Sequence, residues 1–224
     1  MPHPGPVDAL PAVAQVSRTD DGFLVEAGLA AAGSAFEWLA GMTGRSVDTL
    51  WDSAASAPPG ADGVRVFPWF SGARAPHWQA DATAAVTGLR TGHSPAALAR
   101  ALVEGVAFDV ARSLELLDAG GRELVVTGGG ASNPTWRAIL AAVTDRRVVV
   151  RRSAEAASVG ARILAARARR ERVAADTVNP VVTTLEPDPA DRAIYAALRP
   201  AADRHVGALL RRATATARSE GDPA

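Results

Sequence analysis

Hydrophobic positions recur along the chain with helical spacing in some segments and as short β-branched runs in others. From Ser94 to about Leu117, apolar residues lie three or four positions apart, which predicts one long helix with an apolar stripe. Farther on, β-branched runs at 124–127 and 148–150 flank a helical pattern at 134–143. This order predicts a β-α-β unit with a parallel strand pair, and therefore an α/β domain. The stripe of the long helix consists of Leu98, Leu102, Val106, Val110, Leu114 and Leu117.

Weaker patterns predict further elements, each bounded by a capping residue, a glycine or a proline. They are a strand at 23–25, a helix at about 27–42 that ends near Gly44, a helix capped by Ser46, a strand at 64–67, a helix capped by Ser153, and a last helical region opened by Asp188 and interrupted at Pro200. Proline-rich residues 1–20 are predicted to be a tail, residues 21–213 a single domain, and residues 214–224 a disordered tail.

The run that joins the first strand of the β-α-β unit to its helix is the most informative stretch. Gly128, Gly129 and Gly130 follow the strand directly, and glycines permit positive φ and let a ligand approach the backbone. Asn133 is a suitable N-cap, and Pro134 suits the first helical position. A turn that only packs the strand against the helix, without a ligand, would have the same amino-acid sequence. The run is neither a G-x-G-x-x-G dinucleotide fingerprint nor a P-loop, because Asn133 occupies the last glycine position and the chain contains no lysine.

Several segments, in order, resemble the C-terminal domain of the FGGY carbohydrate kinases, the family of xylulokinase, glycerol kinase and gluconate kinase. The xylulokinase branch is the most similar. The segments are AGSAFEWL at 32–39, FPWFSGARAPHW at 67–78, TGL at 87–89, ARALVEGVAF at 99–108, GGGASNPTW at 128–136 and EAASVGARILAA at 155–166. The resemblance implies an actin-like ATPase fold, in which a ribonuclease H-like domain has a mixed sheet flanked by helices. It also implies that ATP, with Mg²⁺, binds between two such domains, of which this chain would be the second.

The resemblance also implies a set of nucleotide-binding positions. In the family, the first domain supplies the sugar pocket, the aspartate that accepts the hydroxyl proton, and a phosphate loop, so we expect no catalytic residue in this chain. The chain departs from the family pattern at Ala73, Gln79, Ala97 and residues 83–84, mostly through loss of polar residues, which favours relaxed selection on activity. The predicted nucleotide-binding residues are Gly33, Glu37, Gly128, Gly129, Gly130, Ala131 and Asn133.

Three functions are therefore compatible with the sequence. The first is the ATP-binding half of a sugar kinase, inactive without the N-terminal domain. Its expected partner is a separately encoded N-terminal domain or a second copy of this chain. The second is a non-catalytic pseudokinase remnant or a nucleotide- or partner-binding module. The third is an unrelated α/β nucleotide-binding or interaction domain that shares only the glycine turn.

Composition argues against several other classes of function. With 24 basic and 24 acidic residues, the chain has no net charge to attract nucleic acid or an anionic membrane. Cysteine is absent, which excludes disulfides and is typical of a cytoplasmic protein, and the histidines lack metal-ligand spacing. Asp109 stands in the long helix with Arg112 three residues on, which predicts a solvated or ion-paired face rather than a catalytic base.

Overall fold

The computed structural model describes residues 2–3, 15–19, 22–117, 120–121 and 123–220. The strands are β1 (Pro2–His3), β2 (Gln15–Thr19), β3 (Gly22–Glu26), β4 (Arg65–Phe67), β5 (Ala85–Thr87), β6 (Glu123–Val126), β7 (Arg147–Arg151) and β8 (Val181–Leu185). The α-helices are α1 (Gly33–Thr43), α2 (Val47–Ser56), α3 (Pro95–Leu116), α4 (Pro134–Thr144), α5 (Ala156–Ala168), α6 (Ala175–Val178) and α7 (Pro189–Glu220). The described residues of the chain divide into two compact units. The first unit lies within residues 1–120 and 194–224, and the second within residues 121–193.

Helix α3 forms the core of the first unit. The Ser94 side chain accepts a hydrogen bond from the Ala97 N–H, and Pro95 occupies the first turn, as the sequence predicted. Most of the helix is buried, with α2 and β4 packed against it. A Cβ added at Gly105 would lie 2.1 Å from the backbone oxygen of Val66, so only glycine allows β4 to cross the helix this closely.

Shorter elements complete the first unit. β4 pairs with β5 in antiparallel orientation, and β3 pairs with β1 and β2, also antiparallel. Ser46 caps α2 by accepting from the Thr49 N–H, which confirms the predicted cap. Phe36 of α1 stacks on Trp51 of α2 with ring centroids 4.1 Å apart.

A buried polar cluster ties α3 to α7 within this unit. Oε1 of Glu104 accepts hydrogen bonds from the Gly60 N–H at 2.9 Å, Nε of Arg100 at 2.9 Å and the Tyr195 hydroxyl at 2.8 Å. Arg100 also donates to the Tyr195 hydroxyl at 2.7 Å. Burial raises the pKa of the Glu104 carboxyl, against the hydrogen bonds from Gly60, Tyr195 and Arg100, which lower it.

A second polar cluster lies farther along α3. Asp109 is 5% exposed, pairs with Arg112 at 2.9 Å and accepts from the Trp69 indole N–H at 3.1 Å. The ion pair is as predicted, but the solvated face was wrong, because the loop that holds Trp69 and His77 covers this side of the helix. Nε2 of His77 lies 3.6 Å from Oδ1 of Asp109.

The second unit contains the predicted β-α-β arrangement. β6 pairs with β7 in parallel, with Leu124 opposite Val148, and α4 connects them. This confirms the parallel pair inferred from the sequence. β8, which the sequence pattern did not predict, adds to the other side of β7 in antiparallel orientation. The resulting mixed sheet buries Val148 and Val149 against α4, whose Ile139 is also buried.

Several predicted boundaries differ from the structure. α1 begins at Gly33 rather than near residue 27, because the segment before it is extended and the Gly28 carbonyl accepts from the Ala75 N–H. β2 lies within the predicted N-terminal tail, whose other residues, 1, 4–14 and 20, are outside the described residues, apart from β1. Glu155, not Ser153, occupies the N-cap of α5, although Ser153 Oγ accepts from the Glu155 N–H.

The last helix also differs from the prediction. α7 continues through Pro200 to Glu220, past the predicted domain end at residue 213, and residues 221–224 are outside the described part. Tyr195 before the proline and Val206 after it are both buried, so tertiary packing offsets the hydrogen bond that proline cannot make. Within the described residues, no helix has the length and apolar character needed to cross a membrane.

Candidate functional site

The glycine turn leaves β6 and closes on itself before α4 begins. Gly128 has φ 71° and ψ −164°, a backbone conformation that favours glycine. Its carbonyl accepts from the Ala131 N–H at 3.0 Å, and Ser132 Oγ donates to the Gly129 carbonyl at 2.9 Å. Residues Gly129–Ser132 thus form a 3₁₀ turn with its own hydrogen bonds.

Asn133 ends the turn and starts the helix. Its Oδ1 accepts from the Trp136 N–H at 2.9 Å, and Pro134 follows in the first helical turn. The predicted cap is therefore confirmed. The side-chain amide nitrogen of Asn133 makes no hydrogen bond to a described residue, so it is available to donate to a ligand.

The structure explains two of the three glycines of the turn, each for a different reason. A Cβ at Gly130 would lie 2.9 Å from Cδ1 of Trp136, so this glycine serves the packing of the turn on α4. Gly128 is required by its positive φ. A Cβ at Gly129 would meet no heavy atom of the described residues within 4 Å, apart from its chain neighbours, and its φ is not positive. Gly129 therefore presents open backbone that neither packing nor conformation explains. Ala131, by contrast, is 2% exposed and faces the interior.

A second loop at the same sheet edge adjoins the turn. Residues 152–155 follow β7, and because β6 and β7 are parallel, both connections leave the same edge. The Gly128 N–H donates to the Ala154 carbonyl at 3.0 Å and joins the two. Asn179, 5% exposed, accepts from the Ser153 N–H at 2.7 Å and donates to the Ser153 carbonyl at 3.1 Å. The edge is thus held from both sides, by the turn and by Asn179.

Sequence reasoning did not identify Asn179 as part of this edge. It lies 26 residues after Ser153, next to Pro180, and nothing in the local sequence distinguishes it from an ordinary turn asparagine. The signal that identifies it comes from the structure: its polar side chain is buried and therefore needs hydrogen-bond partners in the interior.

The two remaining predicted residues belong to the first unit. Gly33 is the first residue of α1, and Glu37 lies one turn later on the same side of the helix; both are exposed. The structure therefore brings together Gly128, Gly129, Gly130, Ala131 and Asn133 in one turn, whereas Gly33 and Glu37 are neighbours of each other on α1. A single site that includes all of them stays a prediction.

Known proteins share both the sequence and the architecture of this chain. A family model described as the FGGY family of carbohydrate kinases, C-terminal domain, matches residues 2–169. The chain is 35% identical over 121 residues to the xylulose kinase of Escherichia coli (strain K12). This match covers 52% of this chain and 25% of the relative. The matched segment thus spans about a quarter of the length of that relative.

Solved structures extend the likeness to the fold. The ligand-bound xylulose kinase from Lactobacillus acidophilus superimposes with a TM-score of 0.82 at 23% identity, covering 88% of this chain and 42% of that one. The glycerol kinase with ADP from Plasmodium falciparum gives a TM-score of 0.70 at 22% identity, covering 81% and 38%. At these identities the likeness concerns the fold, and it confirms the predicted actin-like ATPase architecture of mixed α/β type.

Proposed function

We propose that this chain, which belongs to the FGGY family of carbohydrate kinases and corresponds to its C-terminal domain, binds the adenosine part of ATP or ADP at the glycine turn of residues 128–131. The observation that supports the proposal most directly is the open backbone of Gly129. A turn needed only for packing would explain Gly130 and the positive φ of Gly128, but it leaves Gly129 without a reason.

The carboxyl edge of β6 and β7 carries groups that can bind a nucleoside. Backbone without side chains lets the base or ribose approach closely, and the neighbouring N–H and C=O groups supply hydrogen bonds. The N-terminus of α4, which begins at Pro134, adds a partial positive charge that favours phosphate oxygens. The nucleotide contacts of Gly33 and Glu37, which the family resemblance implies, stay predictions.

Mg²⁺ has no ready-made all-protein site among the described residues. The described residues include no group of three or more histidine, cysteine, aspartate or glutamate side chains that could hold a metal ion. Mg²⁺ prefers nucleotide phosphates together with one or two carboxylates. In this proposal Mg²⁺ would be held chiefly by the nucleotide phosphates, and we assign no step to it in this chain.

The reaction in which this half would take part is transfer of the γ-phosphoryl group of ATP to a sugar hydroxyl. Such transfer depends on positioning and on charge stabilisation at the phosphates, and a base accepts the hydroxyl proton. We assign both tasks to an N-terminal domain, separately encoded or brought by association, in which the sugar would also bind. A cytoplasmic location, expected because the chain lacks cysteine, belongs to the same proposal.

Nucleotide binding by the purified chain tests the first part of the proposal. We expect ADP to bind with a Kd of about 0.1–1 mM, because contacts from the other domain are not provided. Gly129→Val should abolish binding by filling the open space. Gly92→Val is the matched control, since Gly92 also lies in a loop with no described heavy atom within 4 Å of an added Cβ. Equal ADP affinity for the wild type and Gly129→Val would refute the assignment of this turn.

Activity measurements test the second part. The isolated chain with ATP, Mg²⁺ and a panel of ketoses, polyols and sugar acids should give no sugar phosphate, whereas addition of the N-terminal domain of a xylulose kinase should restore turnover. ADP binding without turnover in that mixture would favour the alternative, a non-catalytic pseudokinase or nucleotide-binding module. Robust turnover by the isolated chain would contradict the half-enzyme proposal.

A further inference from the structure

We propose that Arg152 is a nucleotide-contacting residue of this site, and that its guanidinium binds the α-phosphate, the phosphate closest to the adenosine. The inference rests on the proposed function, because it assumes a nucleotide at the glycine turn. It adds a cation to a site that otherwise consists of backbone groups and a helix N-terminus.

The position of Arg152 follows from the strand order. It is the first residue after β7, and the glycine turn follows β6, its parallel neighbour, so both lie at the carboxyl edge of the pair. In parallel α/β sheets, ligands bind in the crevice outside this edge. The hydrogen bond from the Gly128 N–H to the Ala154 carbonyl joins the glycine turn and the loop of residues 152–155 into one continuous surface.

The loop that holds Arg152 is fixed before any ligand arrives. The Arg152 N–H donates to the Pro180 carbonyl at 2.9 Å, and the next residue, Ser153, is held at both its N–H and its carbonyl by the buried amide of Asn179. Burying an amide is unfavourable unless it is hydrogen-bonded, and here both its groups are used on one loop residue. A fixed backbone lowers the entropy cost of placing a charged side chain against a ligand.

The guanidinium of Arg152 is available, whereas that of its neighbour is not. Arg151 donates to Asp176 at 2.6 Å and to the Asn179 carbonyl at 2.7 Å. Arg152 is exposed and makes no side-chain hydrogen bond or ion pair with any described residue. Glu155 brings a negative charge to the same loop, but it occupies the N-cap of α5, where the helix dipole stabilises a carboxylate. Arginine is well suited to phosphate because its planar fork donates two parallel hydrogen bonds.

The test compares ligands that differ only in phosphate. Titrations of ¹⁵N-labelled protein with adenosine, AMP and ADP, followed at the amides of Gly128 and Gly129, give the affinities of the wild type, Arg152→Ala and Arg172→Ala. Arg172 is the matched control: it is exposed, makes no side-chain ion pair with a described residue, and lies beyond the far end of α5, whose 13 residues span about 20 Å at roughly 1.5 Å each. We expect Arg152→Ala to weaken AMP and ADP about tenfold with adenosine unchanged, and Arg172→Ala to match the wild type.

Each other outcome contradicts a specific part of the inference. Equal weakening of adenosine and AMP would show that Arg152 supports the turn or the nucleoside rather than the phosphate. Unchanged affinities for all ligands would exclude contact altogether, while leaving the proposed function intact. If the wild-type protein binds none of the three, both the inference and the proposed nucleotide site fail together.

Discussion

Replacing Glu104 with alanine should strongly destabilise the first unit, although the residue is far from the glycine turn in sequence. Its carboxylate is 4% exposed and receives hydrogen bonds from Gly60, Arg100 and Tyr195 on a single oxygen. Alanine removes all three acceptor contacts at once. It also leaves the guanidinium of Arg100, itself 6% exposed, without its counter-charge.

The magnitude follows from what remains after the change. Arg100 keeps weaker contacts with the carbonyls of Ala54 at 3.4 Å and Ala57 at 3.3 Å and with the Tyr195 hydroxyl, so the buried charge is only partly satisfied. Breaking a buried ion pair by removing one partner costs about 3–5 kcal/mol. At about 2–4 °C per kcal/mol for a domain of this size, the melting temperature should fall by about 6–20 °C.

Thermal and urea unfolding, followed by circular dichroism and tryptophan fluorescence, measure this effect. Glu104→Gln is the control, because it keeps the shape of the side chain and an acceptor oxygen. Its loss should be about 1 kcal/mol. The double variant Arg100→Met with Glu104→Leu, which removes both charges, should recover most of the stability lost in Glu104→Ala. A Glu104→Ala protein within about 1 kcal/mol of the wild type would refute the account of this cluster.

The same carboxyl gives a pH dependence of known sign. Because its pKa in the folded protein is raised above the ordinary 4.5, the stability linked to it is fully present below that pH. It is then lost as pH rises through the folded-state value. We expect the wild type, but not Glu104→Gln, to lose this component of the unfolding free energy as the pH is raised above 4.5, measured by urea unfolding.

Three further substitutions test other parts of the structure. Gly105→Ala should cost about 3 kcal/mol in urea unfolding, because its Cβ would lie 2.1 Å from the Val66 oxygen, whereas Gly41→Ala on open helix surface should be neutral or stabilising. Asn133→Ala should cost about 1 kcal/mol through loss of the α4 cap, measured by the same method. Partial burial raises the pKa of Asp203, but hydrogen bonds from two arginines outweigh it and lower the pKa below 3.8. The stability difference between wild type and Asp203→Asn should therefore be present at pH 5 and vanish as pH falls towards 2.

Local signals explain which elements the sequence predicted. The β-α-β unit is encoded within about 30 residues by β-branched strands, an asparagine cap and a proline at the first helical turn, so its parallel pairing could be inferred from the amino-acid sequence alone. The continuity of α7 through Pro200 could not, because it depends on packing of Tyr195 and Val206 against residues far away in sequence. The hydrogen bond between Tyr195 and Glu104 joins positions 91 residues apart, and no spacing rule reports such a partner.

The segments that carry the family resemblance perform two different tasks, and this separates evidence for the fold from evidence for activity. Arg100 and Glu104, in the segment at 99–108, are buried in the first unit and contribute to stability. Gln79, where the family has an aspartate, donates to the Leu210 carbonyl at 2.9 Å, so a departure from the family pattern is used structurally in this protein. Within the glycine turn, Gly129 presents open backbone that neither packing nor a positive φ explains. Selection for a stable domain would preserve the first set whether or not a nucleotide binds, so function must be judged from ligand titrations on variants of the turn and its adjoining loop.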